Sequence, residues 1–194
     1  GTDAQAAIQR WGKPHGDEVA LRLYTARLLG TDPSLVLHGG GNVSVKGTVR
    51  TLLGDNVEAL SIKGSGRDMA SLEAGDLPAV DLEHLRRLRG RDSLTDEAMV
   101  NEFRTHLFDA AAPTPSIETL VHAFLPHKFV DHSHADAILT LTNQPHGERL
   151  IREALRDRVG ILPYVRPGFE LAKAVADLYE NQPRVEGIVL LHHG

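Results

Sequence analysis

The sequence predicts an α/β fold, a three-layer α/β/α sandwich around a mixed, mainly antiparallel central sheet. Three observations predict it. Two alternating segments, Leu35–Gly47 and Val57–Lys63, flank the turn residues Gly54-Asp55-Asn56, as the arms of an antiparallel pair do. Segments with apolar residues at helical spacing precede, separate and follow the strands. Finally, GIVLL at Gly187–Leu191 is a continuous apolar run of the kind buried on both faces.

The elements follow in order. Asp17 to Leu29 carries apolar residues at helical spacing and closes on Gly30, a C-cap signal. In Leu35–Gly47 three consecutive glycines run into Asn-Val-Ser-Val, whose alternation reads as a strand. Val57–Lys63 is its partner, followed by a second glycine-rich loop, GSGRDM. Leu82–Arg89 and Glu97–Asp109 read as helices divided by a Gly90-to-Thr95 turn, in which Ser93 or Thr95 caps the second. Ile117–Leu125 is a short helix closed by Pro126, and Lys128–His134 a strand. Ala135–Thr142 and Glu148–Arg156 are helical, Ile161–Tyr164 is strand-like, and Gly168–Tyr179 is an amphipathic helix.

At 194 residues, with no composition shift or flexible linker, the chain reads as one domain spanning 1–194. A net charge of -5 leaves no basic footprint for nucleic acid. No apolar run is long enough for a membrane span, and Gly1 to Trp11 has no signal-peptide character, so a cytoplasmic protein is expected. The absence of cysteine removes disulfides, thiol nucleophiles and thiolate metal sites together. Any metal must therefore sit on nitrogen and oxygen.

The chain holds 11 histidines, and His122, His127, His132, His134, His192 and His193 gather toward its C-terminal end. On a strand, residues two apart share a face, so His132 and His134 in DHSHAD can aim both imidazoles at one point. A divalent ion would need at least one more protein ligand. Glu118, on a helix leading into that strand, is one candidate, and His193, at the end of a buried strand, is another. Such a sulfur-free set suits Zn2+ or another borderline first-row ion, while the competing reading is a polar strand face. From a regular strand only one of His192 and His193 can face the site. GGGNVS and KGSG each meet a strand edge and expose backbone N–H groups, and such nests bind phosphate oxygens. Asn42, Ser65 and Lys63 stand beside them. Neither loop fits a dinucleotide fingerprint or a P-loop, and a tight turn without ligand is the alternative for each.

Taken together and in order, GGGNVSVK (Gly39–Lys46), SIKGSGRDM (Ser61–Met69), TPSIET (Thr114–Thr119), VDHSHAD (Val130–Asp136) and LLHHG (Leu190–Gly194) resemble the class II aldolase/adducin family. Within that family the sequence looks most like the aldolase half of bifunctional rhamnulose-1-phosphate aldolase/short-chain dehydrogenase proteins. The resemblance implies a divalent metal, most readily Zn2+, on Glu118, His132, His134 and His193, with Glu118 also moving a proton. It implies phosphate binding at Gly41, Asn42, Ser65, Gly66 and Ser116. The reaction it implies is retro-aldol cleavage of a ketose 1-phosphate to dihydroxyacetone phosphate and an aldehyde. A sugar-phosphate 4-epimerase of the same superfamily, a decarboxylating or dehydratase-type reaction, and an inactive adducin-like interaction domain are the alternatives.

The expected partner is a small sugar phosphate, with no nucleic acid and no membrane, and the expected assembly is a homo-oligomer, since family members commonly form tetramers. The resemblance also implies a further strand and helices beyond Gly194, carrying in several members a tyrosine that protonates the leaving alkoxide; no residue here matches it. No dinucleotide fingerprint for a dehydrogenase half is present in the sequence. Outside these blocks, His122 reads as a core histidine or a partner of Glu118, and Asp131 and Asp136 as supports for the imidazoles or as caps. His15, His146, Arg67 and Arg166 read as solvated.

Overall fold

The computed structural model describes residues 2–194. Its first helical stretch, α1 (Thr2–Ala7), runs through a π-turn (Ile8–Gly12) into α2 (Lys13–His15) and lies on α3 (Asp17–Gly30). Trp11 anchors it, with Nε1 donating to Glu73 at 3.1 Å. Ala4, Ala7, Ile8 and Trp11 stand at helical spacing along this stretch.

Four strands follow an antiparallel order, β3-β2-β1-β4: β1 is Asn42–Arg50, β2 Asn56–Ile62, β3 Ala79–Asp81 and β4 Phe129–His132. The β1–β2 hairpin turns through Thr51 to Asp55, with Gly54 at φ 94°, a conformation that favours glycine. The helices on one side are α4 (Leu82–Arg87), α5 (Asp96–Thr105) and α6 (Thr119–Phe124). Thr95, rather than Ser93, caps α5 by accepting from the Ala98 N–H at 3.2 Å. After β4 come α7 (Asp136–Thr142), α8 (Gly147–Leu155), β5 (Val159–Leu162), α9 (Phe169–Asn181) and β6 (Gly187–Leu190). The strands β5 and β6 pair in parallel across the α9 crossover. Antiparallel and parallel pairing are thus both present, held as two hydrogen-bonded sets.

Alternation along β1 builds the layers. Val43 packs with Leu23 and Ala26 of α3, while Ser44, paired to Ile62, faces the opposite side. There Leu60 and Ile62 join Leu82, Leu85, Met99, Phe103 and Leu120 in the larger core. Burying these side chains contributes about 1.5 to 3 kcal/mol each, which is why the apolar positions dictate the register.

Gly30 differs in its reason from the expected cap. Thr31 follows it in ordinary right-handed geometry. A Cβ on Gly30 would stand 2.2 Å from the Ala70 nitrogen and 2.4 Å from the Met69 carbonyl carbon. The glycine is there so that α3 can touch the backbone at 69–70.

Candidate metal centre and anion cradle

Pairing of β1 with β4 sets Asn42 opposite His132, which puts both side chains on one face of the sheet. Glu118 arrives from above, at the residue preceding α6. Ser116 builds that helix start: its hydroxyl oxygen accepts from the Glu118 N–H at 3.3 Å, and its carbonyl from the Thr119 hydroxyl at 2.6 Å. Asn42 Nδ2 then donates to Glu118 Oε2 at 2.5 Å, and His132 Nδ1 lies 2.8 Å from the same oxygen.

His134 lies beyond the end of β4, where its N–H donates to the Leu35 carbonyl at 2.9 Å, and its ring still meets that of His132 with centroids 4.8 Å apart. His193 enters from β6. His192 adopts φ 61°, a left-handed turn that sends its own side chain to solvent and leaves His193 facing the site. The His193 ring sits 4.9 Å from that of His132 and 5.5 Å from that of His134, and its Nε2 is 3.3 Å from Glu118 Oε1. Gly194 makes room for this convergence, because a Cβ there would stand 2.7 Å from the Ser133 carbonyl oxygen and 3.2 Å from His132 Nε2.

The donor chemistry fits a metal ion. His132 Nε2, His134 Nε2 and His193 Nδ1 are buried and have no hydrogen-bond partner among the described residues. One ligand atom from each of the three histidines lies within 4.8 Å of the other two. A buried polar nitrogen without a partner is costly, and three in one place point to a shared ligand. Glu118 flanks this trio. Its ionised oxygen can only accept, so His132 carries its proton on Nδ1 and its lone pair on Nε2, the tautomer that a carboxylate imposes on a metal-ligating histidine.

Burial works to raise the Glu118 pKa. The hydrogen bond from His132, with the neighbouring imidazoles behind it, outweighs burial and holds the carboxyl at about 2. Burial lowers His134 and His193, and the neighbouring His132 lowers both further. His122 is driven to about 3, first by burial and then by the charge of His132. It is therefore neutral, with Nδ1 2.8 Å from the Ser44 hydroxyl. Its place in the core and its position near Glu118 are both realised.

The two glycine loops touch. A Cβ on Gly39 would stand 3.1 Å from the Gly66 carbonyl oxygen, and buried Lys63 clamps the loops by donating to the carbonyls of Gly39 at 3.0 Å and Arg67 at 2.8 Å. Gly41 and Gly66 take φ of 66° and 71°, open to glycine at little cost. Ser65 and Gly66 are exposed, whereas Gly41, Asn42 and Ser116 are buried. The Asn42 amide is directed to Glu118, and the Ser65 N–H to the Thr114 carbonyl. Beside the backbone of Gly41 and Gly66, the groups that face an anion here are the Ser65 hydroxyl, the Ser116 hydroxyl from the neighbouring helix start, and the Lys63 charge behind them.

Several side chains that support the site carry little sequence signal. Arg22, fully buried on α3, donates to Asp131 at 2.5 Å and to Thr25 at 2.7 Å, so Asp131 holds α3 against β4 rather than orienting an imidazole. Lys46 donates to the carbonyls of His122 and His127 beneath α6, and burial followed by the charge of Arg86 lowers it to about 8. Asp136 makes no cap bond with its side chain. Arg67 and Arg166 pair with Asp76 and Asp96 at the surface. A cationic residue at helical or strand spacing looks solvated until the partner across the fold is seen.

Three histidines that could hold a metal ion, with a carboxylate beside them and a glycine cradle next to it, sit on an α/β fold of the class II aldolase type. The family profile of the class II aldolase and adducin N-terminal domain matches residues 21–194, and the chain belongs to that family. It is 39% identical over 172 residues to the uncharacterized oxidoreductase YuxG of Bacillus subtilis (strain 168), covering 89% of this chain and 25% of that protein. The chain thus spans about a quarter of that relative's length. Among solved structures, the N-terminal class II aldolase domain of a conserved protein from Thermoplasma acidophilum superposes with a TM-score of 0.85 at 40% identity, over 95% of this chain and 85% of that one. The l-fuculose-1-phosphate aldolase of Thermus thermophilus shares the fold at a TM-score of 0.53 and 21% identity, over 89% and 77%. No helix among the described residues is long and apolar enough to cross a membrane.

Proposed function

We propose that the chain is a metal-dependent lyase that cleaves a ketose 1-phosphate of the rhamnulose-1-phosphate type to dihydroxyacetone phosphate and an aldehyde. The observation that carries this is the trio of buried, unpartnered imidazole nitrogens on His132, His134 and His193 beside an ionised Glu118. A divalent ion on these residues, zinc by its fit to nitrogen donors without sulfur, would supply Lewis acidity for the negative charge that C–C cleavage leaves on the donor fragment.

The chain's own residues do the rest. The glycine loops, with the Ser65 and Ser116 hydroxyls and Lys63, hold the phosphate and so fix the reacting carbons over the histidines. Glu118 Oε2 already accepts from Asn42 and His132, which leaves Oε1, bordered by His193, as the oxygen that accepts and returns a proton. In the cleavage direction the C4 hydroxyl loses its proton, the C3–C4 bond breaks, and the electron pair passes to the donor fragment, which is protonated at C3. His122 stays neutral throughout, so it adds no charge against the histidine trio.

We further infer that this domain is the aldolase portion of a two-part aldolase and dehydrogenase protein. In support, a 39%-identical relative named as an oxidoreductase is about four times longer than the matched region. A soluble homo-oligomer in the cytoplasm acting on a small sugar phosphate completes the proposal.

The test is release of dihydroxyacetone phosphate from rhamnulose 1-phosphate and fuculose 1-phosphate by the zinc-loaded chain, read with a coupled reductase, alongside chromatographic product analysis. Zinc-dependent release that is lost in Glu118→Gln supports cleavage. Substrate converted only to its C4 epimer would replace this reading with epimerisation, and an unchanged substrate pool would overturn it.

A further inference from the structure

A second group of metal-type side chains sits where α4 meets α5, on residues that take no part in the first site. Asp81 caps α4 by accepting from the His84 N–H at 2.9 Å, which fixes His84 in the first turn. Glu102 lies on α5, and His106 is the residue that closes the helix four positions later, its ring turned back toward Glu102. His84 Nε2 lies 2.7 Å from Glu102 Oε2, and His106 Nδ1 lies 3.9 Å from the same oxygen. One ligand atom from each of the three falls within 4.8 Å of the others.

His106 has the protonation pattern of a ligand. His106 Nδ1 is 2.9 Å from the Glu102 main-chain carbonyl oxygen, which can only accept. Nδ1 therefore carries the proton and Nε2 the lone pair, as in histidines whose second nitrogen is anchored on a backbone carbonyl so that the first can bind metal. The contact between His84 and Glu102 is a hydrogen bond in which an ion can replace the proton. All three side chains are partly exposed, at 22%, 31% and 32%, so water can complete the coordination.

We propose that His84, Glu102 and His106 form a second divalent-cation site, selective for zinc or another first-row ion that accepts two imidazoles and a carboxylate. The two rings stack 9° from parallel with centroids 3.3 Å apart. Binding splays the rings toward a common point, and their exposure leaves room to do so. The ion joins α4 to α5 and acts as a staple within the helical layer rather than as a catalyst. This site stands independently of the proposed aldolase chemistry, since none of its residues touches Glu118 or the histidine trio.

The experiment uses the full chain carrying His132→Ala and His134→Ala, stripped of metal and titrated with zinc alone by calorimetry, with imidazole resonances followed by NMR. The expected result is about one zinc per chain, shifts confined to His84 and His106, and a raised Tm. Adding His84→Ala and His106→Ala should abolish all three. Should the starting variant not fold, the same readout is the loss of about one of about two bound zinc ions when His84→Ala and His106→Ala are placed in the parent. Zinc binding that is unchanged by removing His84 and His106, or no zinc beyond the first site in the parent, overturns the proposal.

Discussion

His132 and Glu118 meet at 2.8 Å, with the ring Nδ1–H donating to a carboxylate oxygen that Asn42 also holds. Two strands and the start of a helix are thereby fixed to one another at the candidate metal centre. The contact aims the lone pair of His132 Nε2 away from the carboxylate, toward His134 and His193.

Glu118→Gln is therefore expected to weaken zinc binding at the trio about 10- to 100-fold, the usual effect of losing the partner that orients a ligand histidine. Competition against a chromogenic chelator, in a chain also carrying His84→Ala and His106→Ala, measures it. An affinity within twofold of the parent would show that Glu118 does not orient the imidazole.

Acid should destabilise the metal-free protein from pH 6.5 downward. His122 is held at about 3 in the folded chain against about 6.5 when unfolded, so between these values the unfolded state binds more protons and stability falls as pH falls. The slope from this one group is up to about 1.4 kcal/mol per pH unit. His134 and His193, also lowered, add to it, and Glu118 joins below its unfolded value of about 4.5 as pH descends toward 2. Thermal unfolding of His122→Gln between pH 6.5 and 4.5 should show a shallower decline than the parent. Equal slopes would remove His122 from the account.

The buried Arg22 and the half-exposed Asp131 should respond unequally to substitution. Asp131→Ala strands a guanidinium that is 1% exposed and is expected to cost about 3 kcal/mol. Arg22→Met leaves a carboxylate that water can reach and keeps the apolar stem, for a cost of about 1 kcal/mol. Urea unfolding of the two variants gives the order, and a reversed order would contradict the burial assigned to Arg22.

Gly30→Ala, which on helix propensity alone would stabilise α3 by up to about 1 kcal/mol, should instead destabilise the protein by about 2 to 3 kcal/mol. The added methyl meets backbone at 69–70, which cannot rotate aside. A calorimetric Tm at or above that of the parent would refute the close approach.

The hairpin, α3, α9 and the strand before His132 were legible because each rests on local periodicity that tertiary packing reinforces. So was the convergence of His132, His134 and His193, although His134 reaches the site from just past the strand and His193 by way of the left-handed His192. Strand β3, three residues long, is too short to announce itself, whereas Ala4, Ala7, Ile8 and Trp11 do stand at helical spacing in the segment before Asp17. The Arg22–Asp131 pair and the seats of Lys46 and Lys63 join residues far apart in the chain or bind main-chain carbonyls, and no spacing rule encodes such partners. For Gly30 the residue marks the end of the helix in sequence, but its physical reason lies in another segment.

The measurement that bears most directly on the histidine trio is metal content per chain, read by plasma mass spectrometry after zinc incubation and gel filtration, on the parent and on His132→Ala/His134→Ala. The trio predicts that the double variant carries about one zinc ion fewer per chain than the parent. Equal zinc in the two proteins, or none in the parent, would contradict a metal centre at His132, His134 and His193.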